Sequence, residues 1–459
     1  MKQSMFKDRA FLRTLATLMI PMVAQNLISL AAQMMDSLML GKLGQIELSA
    51  SSLANQPFFI FNLLIFGMAS GSSVLNAQFW GKGDVRSVKI VISICLKVAL
   101  TVSILLSAAV MVFPETVMRI YTNDPEIIKA GVSYLRIIGW CYIFYGLSGT
   151  LLTTVRSVGI VRIAVVDSVF SLVCNITLNY ILIFGHLGFP AMGIRGAAIA
   201  TVITRMGDAV LVLSYILFID KKLRFKVRDI LDFDSALLKN YLKNGLPVAF
   251  NEVFWSVGVS IQSMVLGRLG ADVVSASQIA SIVQQFSTVL IFGVANAAAI
   301  IIGNDIGAGK MEQAQLRVKW FRIMAVVLGI FAAGLVLLIA KPVVGFYNIP
   351  EETKELAVQM MRILALMVFF ISQTGIGVVG LLRGGGDPRF ALFVDLAGLW
   401  LFATPAAILS AFVFPAPVLV VYLCTRMDEP IKMLMIAWRM RNNNWMKDVT
   451  ADGAAKEGA

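Results

Sequence analysis

Between residues 14 and 438 the chain is a succession of apolar runs, each about 20 residues long and separated by short polar breaks. A helix of that length crosses a hydrocarbon core roughly 30 Å thick. Inside lipid every backbone N–H and C=O has to be satisfied, which leaves only helices or a closed barrel. The runs here are continuous, not alternating, and that excludes the barrel. The chain is therefore expected to be an all-α membrane protein with twelve transmembrane helices. They fall at 14–39, 50–75, 89–112, 132–155, 162–184, 194–219, 243–267, 276–302, 318–340, 357–382, 389–412 and 416–438. Composition agrees: 58% of the residues are hydrophobic and 14% charged, too little polar surface for a soluble chain. The first run is too long for a signal-peptide core and has no small-residue cleavage site.

A net charge of +12 raises the question of nucleic acid. Its distribution answers it. Lys and Arg gather in the N-terminal tail and in alternate loops: Arg156 and Arg162, Lys221 to Arg228, Arg383 and Arg389, Arg439 and Arg441. That is the positive-inside pattern, so the charge reports topology and not a nucleic-acid partner. Both termini are expected in the cytoplasm. The four cysteines lie in apolar spans at unrelated spacings, and the one histidine, His186, falls in a short loop. No nucleophile–base or metal-ligand pattern is visible, no Walker phosphate loop, and no cofactor is implied. An enzyme is disfavoured.

The spans repeat. Residues 20–85 align without a gap on 246–311: SLMLGKLG meets SMVLGRLG, and LLIFGMA meets VLIFGVA. Seventeen of 66 positions are identical, including several glycines and the pair Pro21/Pro247, more than shared apolar composition explains. An offset of 226 residues covers six spans and preserves direction. Two parallel six-helix lobes with a pseudo-two-fold axis along the membrane normal are expected. The division is 1–219 as N-lobe, 220–240 as cytoplasmic linker, 241–440 as C-lobe and 441–459 as a disordered cytoplasmic tail. Secondary transporters commonly have such halves, and an internal repeat makes a monomer the expected state.

Charges inside the membrane are costly and are read first as functional. Asp36 sits in MMDSLMLGKLG with Gln25, Ser29 and Gln33 on the same helical face. A captured proton or Na⁺ would relieve its cost; the alternative is a structural pair with a base such as Arg136. At the matching position the second repeat has Gln262. Glu252, in the seventh span, reads either as a substrate- or ion-binding acid or as a hydrogen-bonded buried one. Asn175 and Asn179 are spaced i, i+4 on the fifth span, and Gln278 and Gln285 belong to one polar stripe on the eighth. Arg205 and Asp208 are spaced to pair. Lys97, Asp167, Asp395, Asp428 and Glu429 read as structural or interfacial.

Together these segments resemble the multidrug and toxic compound extrusion (MATE) family over about residues 10–440. The likeness rests on IPMVAQNLISLAAQMMDSLMLGKLG, on NITLNYILIFGHLGFPAMGIRGAAIATVITR at 175–205, on LRGGGDPRF at 382–390 and on the twin LGKLG/LGRLG. The resemblance implies export of amphipathic, often cationic, compounds in exchange for H⁺ or Na⁺, in a bacterial inner membrane. It makes Asp36 similar to the family's first-helix aspartate, tied to coupling and a Na⁺ ligand where Na⁺ is used, and Asn175 similar to a neighbouring asparagine. Asn179 stands where one branch has a second aspartate. Trp255 and Ser372 stand where another branch has acids, with Glu252 an approximate substitute. The competing reading is a flippase for a lipid-linked precursor, which predicts a basic cavity on helices 1, 2, 7 and 8. A non-transporting receptor or scaffold would require a long extramembrane segment, which the chain lacks.

Overall fold

A computed structural model describes residues 5, 8–347, 349–442 and 445–450. Every described regular element is helical. In chain order they are α1 (Arg9–Gly41), α2 (Gln45–Ala54), α3 (Gln56–Lys82), α4 (Val85–Val112), α5 (Pro114–Tyr121), α6 (Pro125–Ile138), α7 (Trp140–Arg156), α8 (Arg162–Phe184) and α9 (Ile194–Ser214). The second half adds α10 (Ser235–Gly267), α11 (Ala271–Gly307), α12 (Met311–Gly345), α13 (Glu351–Gly375), α14 (Pro388–Leu396), α15 (Thr404–Ile408), α16 (Val418–Cys424) and α17 (Asp428–Arg439). Short π-helical stretches extend α13 through Arg383 and link α14 to α15.

Each of the twelve expected spans is helical, but they are not equally apolar. Among the described residues nine helices are long and apolar enough to cross a membrane. A tenth span is the pair α6 and α7, bent by 48° at Gly139. The other two are the polar exceptions. Helix α10 has the length but carries Asn251 and Glu252. The last span is broken between α16 and α17 and carries Asp428, Glu429 and Lys432.

The chain packs as two compact units whose boundaries cut through helices. The first, here the C-unit, comprises Met1–Val23, Ala77–Asp84 and Leu246–Ala459; the second, the N-unit, comprises Ala24–Asn76 and Val85–Gly245. The two repeat-related helices are divided close to their prolines, Pro21 and Pro247: α1 after Val23 and α10 before Leu246.

Local packing explains these assignments. In the C-unit the Phe11 ring lies 4.9 Å from Trp320 and 5.6 Å from Phe321, with the Arg317 guanidinium over it. Arg317 in turn grips Asp305 through both carboxylate oxygens, at 2.6 and 2.8 Å. In the N-unit the start of α10 is held by the Tyr241 hydroxyl, which donates to the Met68 carbonyl. There α3 and α10 meet backbone to backbone: a Cβ on Gly71 would fall 2.3 Å from the Gly245 Cα. Small residues serve this purpose at helix crossings in lipid.

The segment between the sequence halves is strapped to α4. Lys89 bonds Asp229 at 2.8 Å, Ser93 donates to the Ile230 carbonyl at 2.7 Å, and Lys97 donates to the Asp232 carbonyl at 2.9 Å. Partial burial of the Asp229 carboxyl opposes its ionisation. The donors, Lys89 and the Lys226 backbone, outweigh that and hold it below the usual carboxylate range.

The tail departs from expectation. Disorder from residue 441 does not describe residues 445–450, where Trp445, Met446, Val449 and Thr450 are buried. Trp445 packs on Gly385, where any Cβ would sit 2.3 Å from the indole. Gly386, at φ +85°, turns the loop so that Gly385 accepts from the Lys447 N–H at 2.7 Å. Gln78 bonds the tail backbone twice, donating to the Lys447 carbonyl and accepting from the Val449 N–H. Asp387 receives Arg439 and Lys447, and Lys82 bonds Asp448 at 2.9 Å. The apolar Trp and these partners outweigh the small, polar composition that suggested disorder. Residues 451–459 lie outside the described residues.

Candidate functional site

Four of the seven singled-out polar residues come together in the N-unit. The face of α1 that carries Gln25, Ser29, Gln33 and Asp36 forms one wall of a cavity of about 370 Å³. Helices α3, α7, α8 and α9 supply the rest. That volume is in the range of small-molecule sites. The lining is mostly polar, unusual for a space enclosed by membrane helices.

At one end of the cavity Asn179 donates its amide to the Asp36 carboxylate at 2.6 Å and to the Asn175 amide oxygen at 3.0 Å. Asn179 is 2% exposed and Asn175 7%. The i, i+4 spacing on α8 stacks the two asparagines, and α1 brings the acid to them. The short distance fits a hydrogen bond to a charged acceptor. Arg136 is exposed, and Asp36 is bonded by an amide, so the basic-partner alternative for Asp36 is not what forms. A carboxylate and two amides are a set of hard oxygens and neutral donors. Such a set accepts a proton or an alkali cation without competing with a built-in base.

Sequence reasoning missed three further cavity residues. Arg156, assigned to a loop, closes the end of α7 and donates to Gln25 at 2.9 Å. Arg205 pairs with Asp208 at 3.0 Å, as its spacing indicated, and lies over the Tyr145 ring. Both arginines line the cavity, and so does Asp167, read from sequence as structural or interfacial. The signal for Asp167 was present: residues 167, 171, 175 and 179 recur every four positions on α8.

Glu252, Gln278 and Gln285 lie in the other unit. Glu252 is not a solitary acid. Arg383, only 4% exposed, bonds it at 2.9 Å. This corrects the placing of Arg383 in a basic loop: the π-helical continuation of α13 carries the arginine inward to its partner. Nearby acids are matched as well. Asn251 donates to Asp395 at 2.7 Å, and Lys432, 3% exposed and unremarked in the sequence, bonds Asp428 at 2.6 Å and Asp395 at 3.5 Å. Thr374 donates to Glu429. Ser372, standing where a family branch has an acid, is fully buried and donates to the Ala325 carbonyl. Gln262, the counterpart of Asp36, is 7% exposed and its amide nitrogen has no partner. Gln278 and Gln285 are exposed on α11 and join no cluster.

Known proteins sharpen the assignment. A family profile described as MatE matches residues 21–181 and 247–409, two blocks whose starts reproduce the internal repeat. The chain belongs to the MATE family. It is similar to "Probable multidrug resistance protein NorM" of Thermotoga maritima, at 24% identity over 86% of this chain and 84% of that protein. A protein of the same description from Rhizobium meliloti is 28% identical over 87% and 85%. Among solved structures, a MOP superfamily transporter from Pyrococcus furiosus superposes with a TM-score of 0.85 at 18% identity, covering 95% of this chain and 96% of that one. A eukaryotic MATE transporter superposes with a TM-score of 0.81 at 20% identity, covering 96% and 97%. The MATE fold and a transporter, not an enzyme, are thereby established.

Proposed function

We propose that this MATE protein is a cation-coupled antiporter. It exports amphipathic, often cationic, compounds by alternating access in exchange for H⁺ or Na⁺, from the cytoplasm of a bacterial cell. One observation carries the reading: Asp36 stands on the wall of a membrane-buried cavity and is bonded by an amide rather than a base. A carboxylate so placed gains from capturing a cation, because an uncompensated charge in the membrane costs several kcal/mol. Ion capture then biases one arrangement of α1 and α8 over another, and the coupling to substrate affinity is reciprocal. Asn175, Asn179 and Gln33 complete the coupling cluster. The described names of the relatives, multidrug resistance proteins, support the substrate class.

A flippase for an anionic lipid precursor would draw on Arg156 and Arg205. Arg205 is already paired with Asp208, and Arg156 already gives one amino group to Gln25, which weakens that reading.

The test is efflux of a fluorescent organic cation from proteoliposomes under a pH gradient and, separately, a Na⁺ gradient. One gradient drives export, and Asp36→Asn abolishes it while the protein stays folded. Full gradient-driven export by Asp36→Asn sinks the coupling role. No export by folded wild type under either gradient moves the assignment to the flippase.

A further inference from the structure

The cavity has a second acid that the coupling cluster leaves unused. Along α8 Asp167 precedes Asn179 by twelve residues, and at 1.5 Å per residue this separates them by about 18 Å along the axis. Asp36 is bonded at the Asn179 end, so Asp167 stands toward the opposite end of the same wall. Asp167 is 7% exposed, and its Oδ1 is buried without a hydrogen-bond partner. Of the other charged side chains of the lining, Asp36 is bonded by Asn179 and Arg205 by Asp208 and the Tyr145 face, while Arg156 donates to Gln25 from one amino group and keeps its buried Nε without a partner. Ser171, one turn along, spends its hydroxyl on Asp208.

An unmatched carboxylate oxygen in a membrane-buried cavity asks for a positive partner. The space can hold a small organic molecule, and Phe66 adds an aromatic side chain to its wall. The geometry points to Asp167 as the anchor for the positively charged head of the exported molecule. That head is an ammonium, amidinium or phosphonium group on an apolar body, and it binds away from the Asp36–Asn179–Asn175 cluster. This inference rests on the antiporter reading and gives its substrate a place. Two acids at opposite ends allow ion and cargo to be held separately, so their competition passes through the helices and not through one shared carboxylate.

The test is equilibrium binding to purified protein in nanodiscs with no gradient. The probes are tetraphenylphosphonium, permanently charged, and triphenylphosphine oxide, its neutral relative. Losing the carboxylate's coulombic attraction for the cation, Asp167→Asn weakens phosphonium binding by roughly tenfold or more. It leaves binding of the neutral oxide unchanged. Asp167→Glu, which keeps the charge, retains phosphonium binding and guards against a folding artefact. Unchanged phosphonium affinity in Asp167→Asn overturns the assignment, as does equal weakening of both probes. These outcomes are independent of the antiport reading, which stands or falls on gradient-driven exchange by wild type and Asp36→Asn.

Discussion

In the N-unit a buried carboxylate meets an amide; in the C-unit one meets a guanidinium. Both acids come from the first helix of a repeat, ten residues apart once the two copies are superposed by sequence: Asp36 aligns with Gln262, and Glu252 with Asn26. The surroundings diverge further. The C-unit matches Glu252, Asp395 and Asp428 with Arg383 and Lys432. The N-unit leaves Asp167 with an unmatched oxygen and gives Asp36 no base in hydrogen-bonding contact. A closed ion pair is a structural element, because it has no unmet demand. An acid among amides has no such partner, and on the proposed reading it takes a cation. One scaffold thus carries a closed charge network in one copy and an acid bonded by an amide in the other.

The sharpest way to break this contrast is Glu252→Gln. If the C-unit pair is structural, the change strands a buried guanidinium and destabilises the protein by about 3–5 kcal/mol. Adding Arg383→Gln to it recovers much of the loss, and melting in detergent reads both. An unaltered melting temperature with lost ion coupling would instead make Glu252 a working site and dissolve the distinction. On the N-unit side, Asn179→Leu removes a hydrogen bond to a charged group, an interaction of about 1.5–3 kcal/mol. Ion-driven export then slows by roughly tenfold or more, while the melting temperature moves less than in Glu252→Gln. A larger effect on melting than on transport would show that the asparagine ladder is a packing feature.

The smallest effect concerns the tail. Partial burial raises the Asp448 carboxyl, but hydrogen bonds from Thr450 and Lys82 prevail and lower it below 3.8. A depressed folded value stabilises above the unfolded value and loses that contribution as pH falls through the folded one. The pair is partly exposed, so its contribution is below about 1 kcal/mol. Limited proteolysis checks the sign: cleavage after residue 442 stays slow at neutral pH and quickens only below about pH 4. Lys82→Ala raises the neutral-pH rate slightly and flattens that dependence. A pH-independent rate in wild type would show that the Lys82–Asp448 pair does not hold the tail.

Much of the N-unit site was legible because it obeys helical spacing. Gln25, Ser29, Gln33 and Asp36 share a face of α1, and Asn175 and Asn179 are one turn apart on α8, so period alone grouped each set on its own helix face. The same period ran on to Asp167, which only its burial and its unmatched oxygen distinguish from an interfacial acid. The C-unit site was not legible. Arg383 follows an apolar run and looks like the first loop residue, and a π-helical turn, which shifts register without a sequence mark, carries it inward. Lys432 lies within α17, with its acids one turn or a chain segment away, and hydropathy registers none of that pairing. Pro21 and Pro247 were visible as a repeat, but nothing in their spacing says that each helix is shared between two compact units there.

That sharing bears on how the chain is made. The C-unit uses the first 23 residues and then waits for Leu246 onward before it can close around them. At a synthesis rate of about 5–20 residues per second, the interval is tens of seconds. Throughout it Phe11 has no Trp320 or Phe321 to pack on. The Gln78 fastening waits longer still, for Val449. The N-unit, Ala24–Asn76 and Val85–Gly245, is complete once Gly245 is made and can settle while the rest is still being translated. Until the C-unit closes, the part of α1 before Ala24 is held in the bilayer by its own hydrophobicity, while the rest of the helix already bonds within the N-unit. A pause or truncation late in the message would leave a completed N-unit beside an unclosed partner.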